Sequence, residues 1–124
     1  MDDDLGDPET YAVIGAAMPV HAHLGAGFLE SVYSEALTWE LTLRDIPHRR
    51  QVPVPVFYCG HQLQVTFRID FLCFERLIVE IKAQTFTGRP EFNQVINYLK
   101  ASRLHRALLL NFGTPRLGYR RLVL

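Results

Sequence analysis

The sequence predicts an α/β chain of α+β-like order, with one central mixed sheet flanked by helices and the elements running α-α-β-β-β-β-α-β-β. Three observations carry that expectation. Apolar residues recur at helical spacing from Tyr11 to Leu41, then switch to alternation between Val52 and Ile81. A single further helical stretch, "RPEFNQVINYLKAS", separates that region from two short apolar runs at the end.

Taken in order, "DPETYAVIGAAMPVHAHL" offers Asp7 as an N-cap, Pro8 at the first helical position and Glu9 in the first turn, ahead of Tyr11, Ile14 and Met18. Pro19 is expected to kink or end this first helix. "LGAGF" breaks the pattern with two glycines. "LESVYSEALTWELTLRDI" resumes it through Leu29, Val32, Tyr33, Ala36, Leu37 and Leu41 as a second helix. "QVPVPVFY" places Val52, Val54 and Val56 on one strand face, with Pro53 and Pro55 tolerable only at an edge or a strand start. "CGHQ" turns into "LQVTFRIDFLCF", and Glu75-Arg76 turns into "LIVEIKA". Pro90 and Glu91 open a helix striped by Phe92, Val95, Ile96 and Leu99, and "RALLLNF" and "YRRLVL" read as closing strands.

With 124 residues the chain is expected to be one domain, 1–124, able to bury a core without metal or disulfides, with 1–7 as a flexible acidic tail. Its 48% hydrophobic and 21% charged residues are those of an ordinary globular protein, and no apolar run approaches the roughly 18 residues of a membrane span. The acidic start "MDDDLGDPE" is unlike a signal peptide, so the expected location is cytoplasmic and no membrane partner is expected. Cys59 and Cys73 read as core residues, as do Trp39 and the eight phenylalanines. Net charge is zero, yet residues 1–40 hold eight acids and no Lys or Arg, which leaves all 13 basic residues to the rest of the chain.

The chemistry-bearing feature is a pair of carboxylates inside aliphatic runs: Asp70 in "FRIDFL" and Glu80 in "LIVEIKAQ", with Lys82 two residues on. One reading of Glu80 and Lys82 is an edge strand with a wet face. The other is a site, because two neighbouring strands that each carry a central carboxylate desolvate and repel each other unless a cation or proton lies between them. Hard divalent cations take such oxygen ligands, Mg²⁺ with as few as one or two. A strict two-residue hairpin at Glu75-Arg76 would pair Asp70 with Ile81 and set it on the face opposite Glu80. A shared metal therefore requires a three-residue loop or a bulge. Glu30 and Tyr33 share a helix face, as do Gln94 and Tyr98; locally, an acid that complements the macrodipole and a half-exposed polar edge account for them. His21-x-His23 is expected to be structural, and there is no Gly-rich phosphate loop, nucleophile elbow or Cys-His pair.

Together these residues resemble the PD-(D/E)XK nuclease superfamily: Asp70, then Glu80-Ile81-Lys82, then Gln94-x-x-x-Tyr98. Within it, Gly27-x-x-Glu30-x-x-Tyr33 is similar to the signature of the small GxxExxY family, and "RIDF", "EIKA", "QVINYLKA" and "LLLNFG" are similar to its later blocks. The resemblance implies a restriction-endonuclease-like core and a metal-dependent nuclease that hydrolyses phosphodiester bonds in DNA or RNA. It implies Mg²⁺ or Mn²⁺ held by Asp70, Glu80 and the Ile81 carbonyl, with Glu30 joining through water. Asp70, Glu80, Lys82 and Glu30 form the implied catalytic set, and Gln94, Tyr98 and Tyr33 bind or orient substrate. Arg68, Arg89, Lys100, Arg103 and Arg106 are the cations available for nucleic-acid backbone contact. A homodimer is one way to cut both strands of a duplex. The alternative is a non-catalytic nucleic-acid-binding or protein-partner module on the same fold.

Overall fold

The computed structural model describes residues 7–124. Helices α1 (Pro8–Leu24) and α2 (Glu30–Leu43) precede strands β1 (His48–Tyr58), β2 (His61–Cys73) and β3 (Leu77–Lys82). Helix α3 (Arg89–Ser102) then leads to β4 (Arg106–Asn111) and β5 (Gly118–Val123). Three strands, not four, lie ahead of α3. β1 and β2 are long, with 11 and 13 residues, and use up the chain between α2 and β3.

The sheet order is β1-β2-β3-β4-β5, with β3 and β4 parallel and the other neighbours antiparallel. The parallel pair is joined by a crossover through α3, the connection that parallel neighbours require. Strand β1 lies at an edge, where Pro53 and Pro55 cost no ladder bond on their outer side. Strand β3 lies at the centre with Leu77 to Ile81 all buried, so the wet-edge reading of Glu80 does not hold.

Two cores clamp the sheet. On one face α1 and α2 pack Val13, Ala17, Tyr33 and Leu37 against Phe71, Val79, Ile81 and Leu110. On the other, α3 packs Val95, Tyr98 and Leu99 against Ile69, Ile78, Ala107 and Leu109. Pro19 sits inside α1 without ending it.

Asp7 caps α1 by accepting from the Thr10 amide at 3.2 Å and the Thr10 hydroxyl at 2.7 Å. It also accepts from Arg106 Nη1 at 2.5 Å and Arg121 Nε at 2.9 Å, and so ties the start of α1 to the far strands. Burial alone would raise its pKa; these hydrogen bonds more than offset that and hold the carboxyl well below the usual carboxylate range. Asp7 is thus a buried anchor and not part of a tail, while residues 1–6 of the expected tail lie outside the described residues. Arg106, bound to Asp7 and Glu9, is likewise committed to the fold and is not a spare cation for phosphate.

Three core expectations are also corrected. Trp39 is 70% exposed, Cys59 is exposed in the turn between β1 and β2, and Phe28, Phe57 and Phe86 are exposed while Phe71 and Phe112 are fully buried. Helical spacing did not separate the inward stripe of α2 from its outward one. Cys73 is the buried cysteine, and burial pushes its thiol up to about 12.

Candidate active site

The β2–β3 hairpin is closed by three residues, Phe74, Glu75 and Arg76, the first two in the left-handed region at φ 57° and 58°. Cys73 pairs with Leu77, Leu72 with Ile78 and Phe71 with Val79, so the register sets Asp70 opposite Glu80. The ladder then stops and the carboxylates take over its hydrogen bonds. The Asp70 amide donates to Glu80 Oε2 at 2.6 Å, and the Ile81 amide donates to Asp70 Oδ2 at 2.8 Å. The three-residue loop required for a shared site is present.

Glu80 is only 4% exposed. Burial first, and the neighbouring Asp70 charge second, push its carboxyl up to about 8; Glu30 adds to the same pressure from the start of α2. Asp70 is raised too, mainly by burial, against the Ile81 amide and the charges of Lys82 and Arg50. Lys82 reaches out on the side of α3, where its Nζ donates to Gln94 Oε1 at 3.0 Å. One turn on, Tyr98 packs its ring against Phe67 with centroids 5.2 Å apart. Burial and the negative charges of Glu80 and Asp70 push its phenol up to about 12, so it stays a protonated donor at neutral pH. Asp70, Glu80, Lys82, Gln94 and Tyr98 are therefore gathered around the fork between β2 and β3, with Glu30 exposed at its margin.

Tyr33 is placed differently. It is fully buried, stacks on Phe112 at 4.7 Å, donates to the Gly25 carbonyl at 2.5 Å and accepts from the Phe28 amide at 3.1 Å. It cannot touch substrate; it pins the turn from which Glu30 enters α2. Gly25 and Gly27 in that turn have φ of 69° and 115°, which explains a glycine at Gly27.

Two residues escaped the sequence reading. Arg50, whose guanidinium lies over the Phe71 ring at 5.5 Å, is the arginine whose charge acts on Asp70. Asn111, buried at the end of β4, accepts from the Gln84 and Gly113 amides at 3.0 Å each and donates to the Gln84 carbonyl at 2.9 Å. A Cβ on Gly113 would meet the Gln84 nitrogen at 2.3 Å, so the chain beyond Lys82 is clamped by a close backbone approach. An asparagine ending an otherwise aliphatic strand was the available signal. His21 is structural, with Nε2 at 2.9 Å from the Thr114 carbonyl, while His23 is exposed.

Among the described residues no three His, Cys, Asp or Glu side chains converge. The oxygens that face one another here are those of Asp70 and Glu80, and two acids whose burial and mutual repulsion disfavour their charge suit a hard divalent cation.

Three helices around a five-stranded mixed sheet, with an aspartate and a Glu-x-Lys on adjacent central strands, define a restriction-endonuclease-like α+β domain. Residues 7–122 match the model of the PD-(D/E)XK nuclease superfamily, and the chain belongs to that superfamily. No curated protein matches. Among solved structures, "Crystal structure of SSO0001" aligns with a TM-score of 0.59 at 18% identity, over 75% of this chain and 48% of that one, a likeness of fold alone. The chain thus spans about half the length of that structure. Among the described residues no helix is long and apolar enough to cross a membrane.

Proposed function

We propose that this protein is a metal-dependent nuclease of the GxxExxY type, hydrolysing phosphodiester bonds in DNA or RNA in the cytoplasm. The observation that carries the reading is Asp70 facing Glu80 across a broken ladder, with Lys82 beside them. Asp70, Glu80 and the Ile81 carbonyl would hold Mg²⁺ or Mn²⁺, with Glu30 contributing through water. When bound, the cation supplies charge stabilisation at the phosphate and a water of lowered pKa. Lys82 orients the attacking water or neutralises charge that develops on the phosphate. Gln94 fixes the Lys82 ammonium, and Tyr98 offers a phenolic donor that remains protonated. Arg50 adds a cation on the Asp70 side.

The test is incubation with Mg²⁺ or Mn²⁺ and single-stranded DNA, duplex DNA or RNA, beside Asp70→Ala and Lys82→Ala. Cleavage by wild type that both variants lose supports the reading; identical behaviour of all three on every substrate sinks it. One observation favours a second reading, a non-catalytic module: both carboxylates already serve main-chain amides, a structural role complete without metal. That reading expects no heat of Mg²⁺ or Mn²⁺ binding by calorimetry.

A further inference from the structure

Helix α2 carries two apolar stripes, of which the core takes one whole and touches the other only at Ala36. Tyr33, Leu37 and Leu41 are fully buried against the sheet. Val32, Ala36, Trp39 and Leu43 form the other, spaced four, three and four apart, the a/d spacing of a coiled-coil seam, and Leu29, in extended backbone at the N-cap, continues the spacing just ahead of the helix. Leu29, Trp39 and Leu43 on this seam are 76%, 70% and 63% exposed. A groove of about 610 Å³ runs between the seam and the end of α1, lined by Leu24, Val32, Ala36 and Trp39 and rimmed by Glu35 and Glu40. Single exposed apolar residues are ordinary on a protein surface; a seam of them along an open groove marks an interaction site.

The charges identify the occupant. With Ala36 at a, Glu35 takes a g position and Glu40 an e position, the flanks that select partners in helix pairing. Residues 7–43 contain no Lys or Arg, and among the described residues Glu35 has no ion pair while Glu40 meets only Arg44, at 3.1 Å. A second copy pairing in parallel through this seam would set Glu35 of one chain against Glu40 of the other, so parallel self-pairing is disfavoured.

We propose that the α2 seam is the docking site for an amphipathic helix of a partner protein, with aliphatic residues at its own a and d positions and Lys or Arg at e and g. Ala36, the small residue of the seam, admits a bulky knob beside Trp39, and Glu35 and Glu40 receive the flanking cations. The seam does not depend on the nuclease reading, since none of its residues belongs to the proposed catalytic set.

Trp39 is the chain's single tryptophan, so its emission reports on the groove directly. The probe is a three-heptad peptide with Leu at a and d and Lys at e and g, beside the same peptide with Glu at e and g. The expected result is a saturable blue shift of Trp39 with the Lys peptide at a dissociation constant about tenfold below that of the Glu peptide, with the preference reversed in the Glu35→Lys/Glu40→Lys protein. Val32→Asp should abolish the shift, with circular dichroism confirming that the variant is folded. Equal response to both peptides, or no response, overturns the proposal. So does a blue shift that grows with protein concentration alone, which would mean self-association, or one produced by phosphatidylcholine vesicles, which would mean a lipid surface.

Discussion

Asp70 and Glu80 stand opposite one another on β2 and β3, and each carboxylate accepts a main-chain hydrogen bond from the other's strand, at 2.8 Å from the Ile81 amide and 2.6 Å from the Asp70 amide. The hairpin loop sets this register, and the buried negative charges it brings together destabilise each other. Glu80→Gln should keep the fold, because an amide oxygen still accepts from the Asp70 amide and the buried charge that faces Asp70 is removed. Divalent-cation affinity should fall, and cleavage should drop by about 10³-fold, the scale of several kcal/mol of lost charge stabilisation. Thermal melts and Mn²⁺ calorimetry measure the two halves separately.

The raised acid gives a pH dependence of defined sign. With Glu80 shifted from its usual 4.5 up to about 8, its contribution to stability is whole below pH 4.5 and is lost as pH rises through about 8, where the folded carboxyl must ionise. Asp70, also raised, acts in the same direction. In chelator, the melting temperature should fall between about pH 5 and pH 9, and Glu80→Gln should flatten that fall. Mn²⁺ should reduce the loss at the alkaline end, and its binding at neutral pH should release protons, read as a buffer-dependent heat.

Lys82→Met should leave the melting temperature close to wild type, since among the described residues the ammonium hydrogen-bonds only to Gln94 Oε1, and Lys82 lies outside the buried clusters. Cleavage should fall by about 10²- to 10³-fold if the ammonium stabilises charge in the transition state. Gln94→Ala should cost less, about tenfold, because the cation remains and only its positioning is lost. Rate measurements at saturating metal distinguish the two variants.

Asp7→Asn should destabilise the fold by about 3 kcal/mol, because it removes the buried carboxylate that Arg106 and Arg121 share, even though Arg106 keeps Glu9. Because Asp7 is held below the usual carboxylate range, its stabilisation is present above its ordinary 3.8 and is lost as pH falls further. Urea titrations at neutral pH and about pH 3 should therefore differ more for wild type than for the variant.

Asn111→Ala should cost about 2 to 3 kcal/mol by leaving the Gln84 and Gly113 main-chain groups unpaired in a half-buried position. Gly113→Ala should be as damaging, for the close approach to Gln84 leaves no room for a Cβ. Both should impair cleavage beyond their effect on stability, since they loosen the segment that follows Lys82. Comparing rates well below the melting temperature isolates that effect.

The features that could be read in the sequence were those that follow or violate a local rule. Asp70, Glu80 and Lys82 put charge inside aliphatic runs, and the parity of the hairpin turned that oddity into a demand on loop length which the Phe74–Glu75–Arg76 turn meets. Asp7, Pro8 and Glu9 announced a helix start that the fold uses as written. What stayed hidden depends on which of two equivalent faces points inward, or on contacts far apart in the chain. Trp39 has the spacing of a core residue, but α2 turns that stripe outward. Tyr33 shares a helical face with Glu30 by spacing, yet it points inward to Phe112 while Glu30 stays at the surface. Arg106 looked like a free cation because its partner Asp7 is 99 positions away.

The Asp7–Arg121 pair joins positions 114 residues apart. On a translating ribosome, α1 can therefore coil early, but its capping carboxylate lacks the Arg121 guanidinium until β5 has left the exit tunnel. The segments bearing Glu30, Asp70, Glu80 and Gln94 are all synthesised before that latch closes. Locking of α1 onto the sheet thus waits on β5, and a ribosome stalled before Arg121 would carry every acidic and basic group of the site on a scaffold still open at that edge.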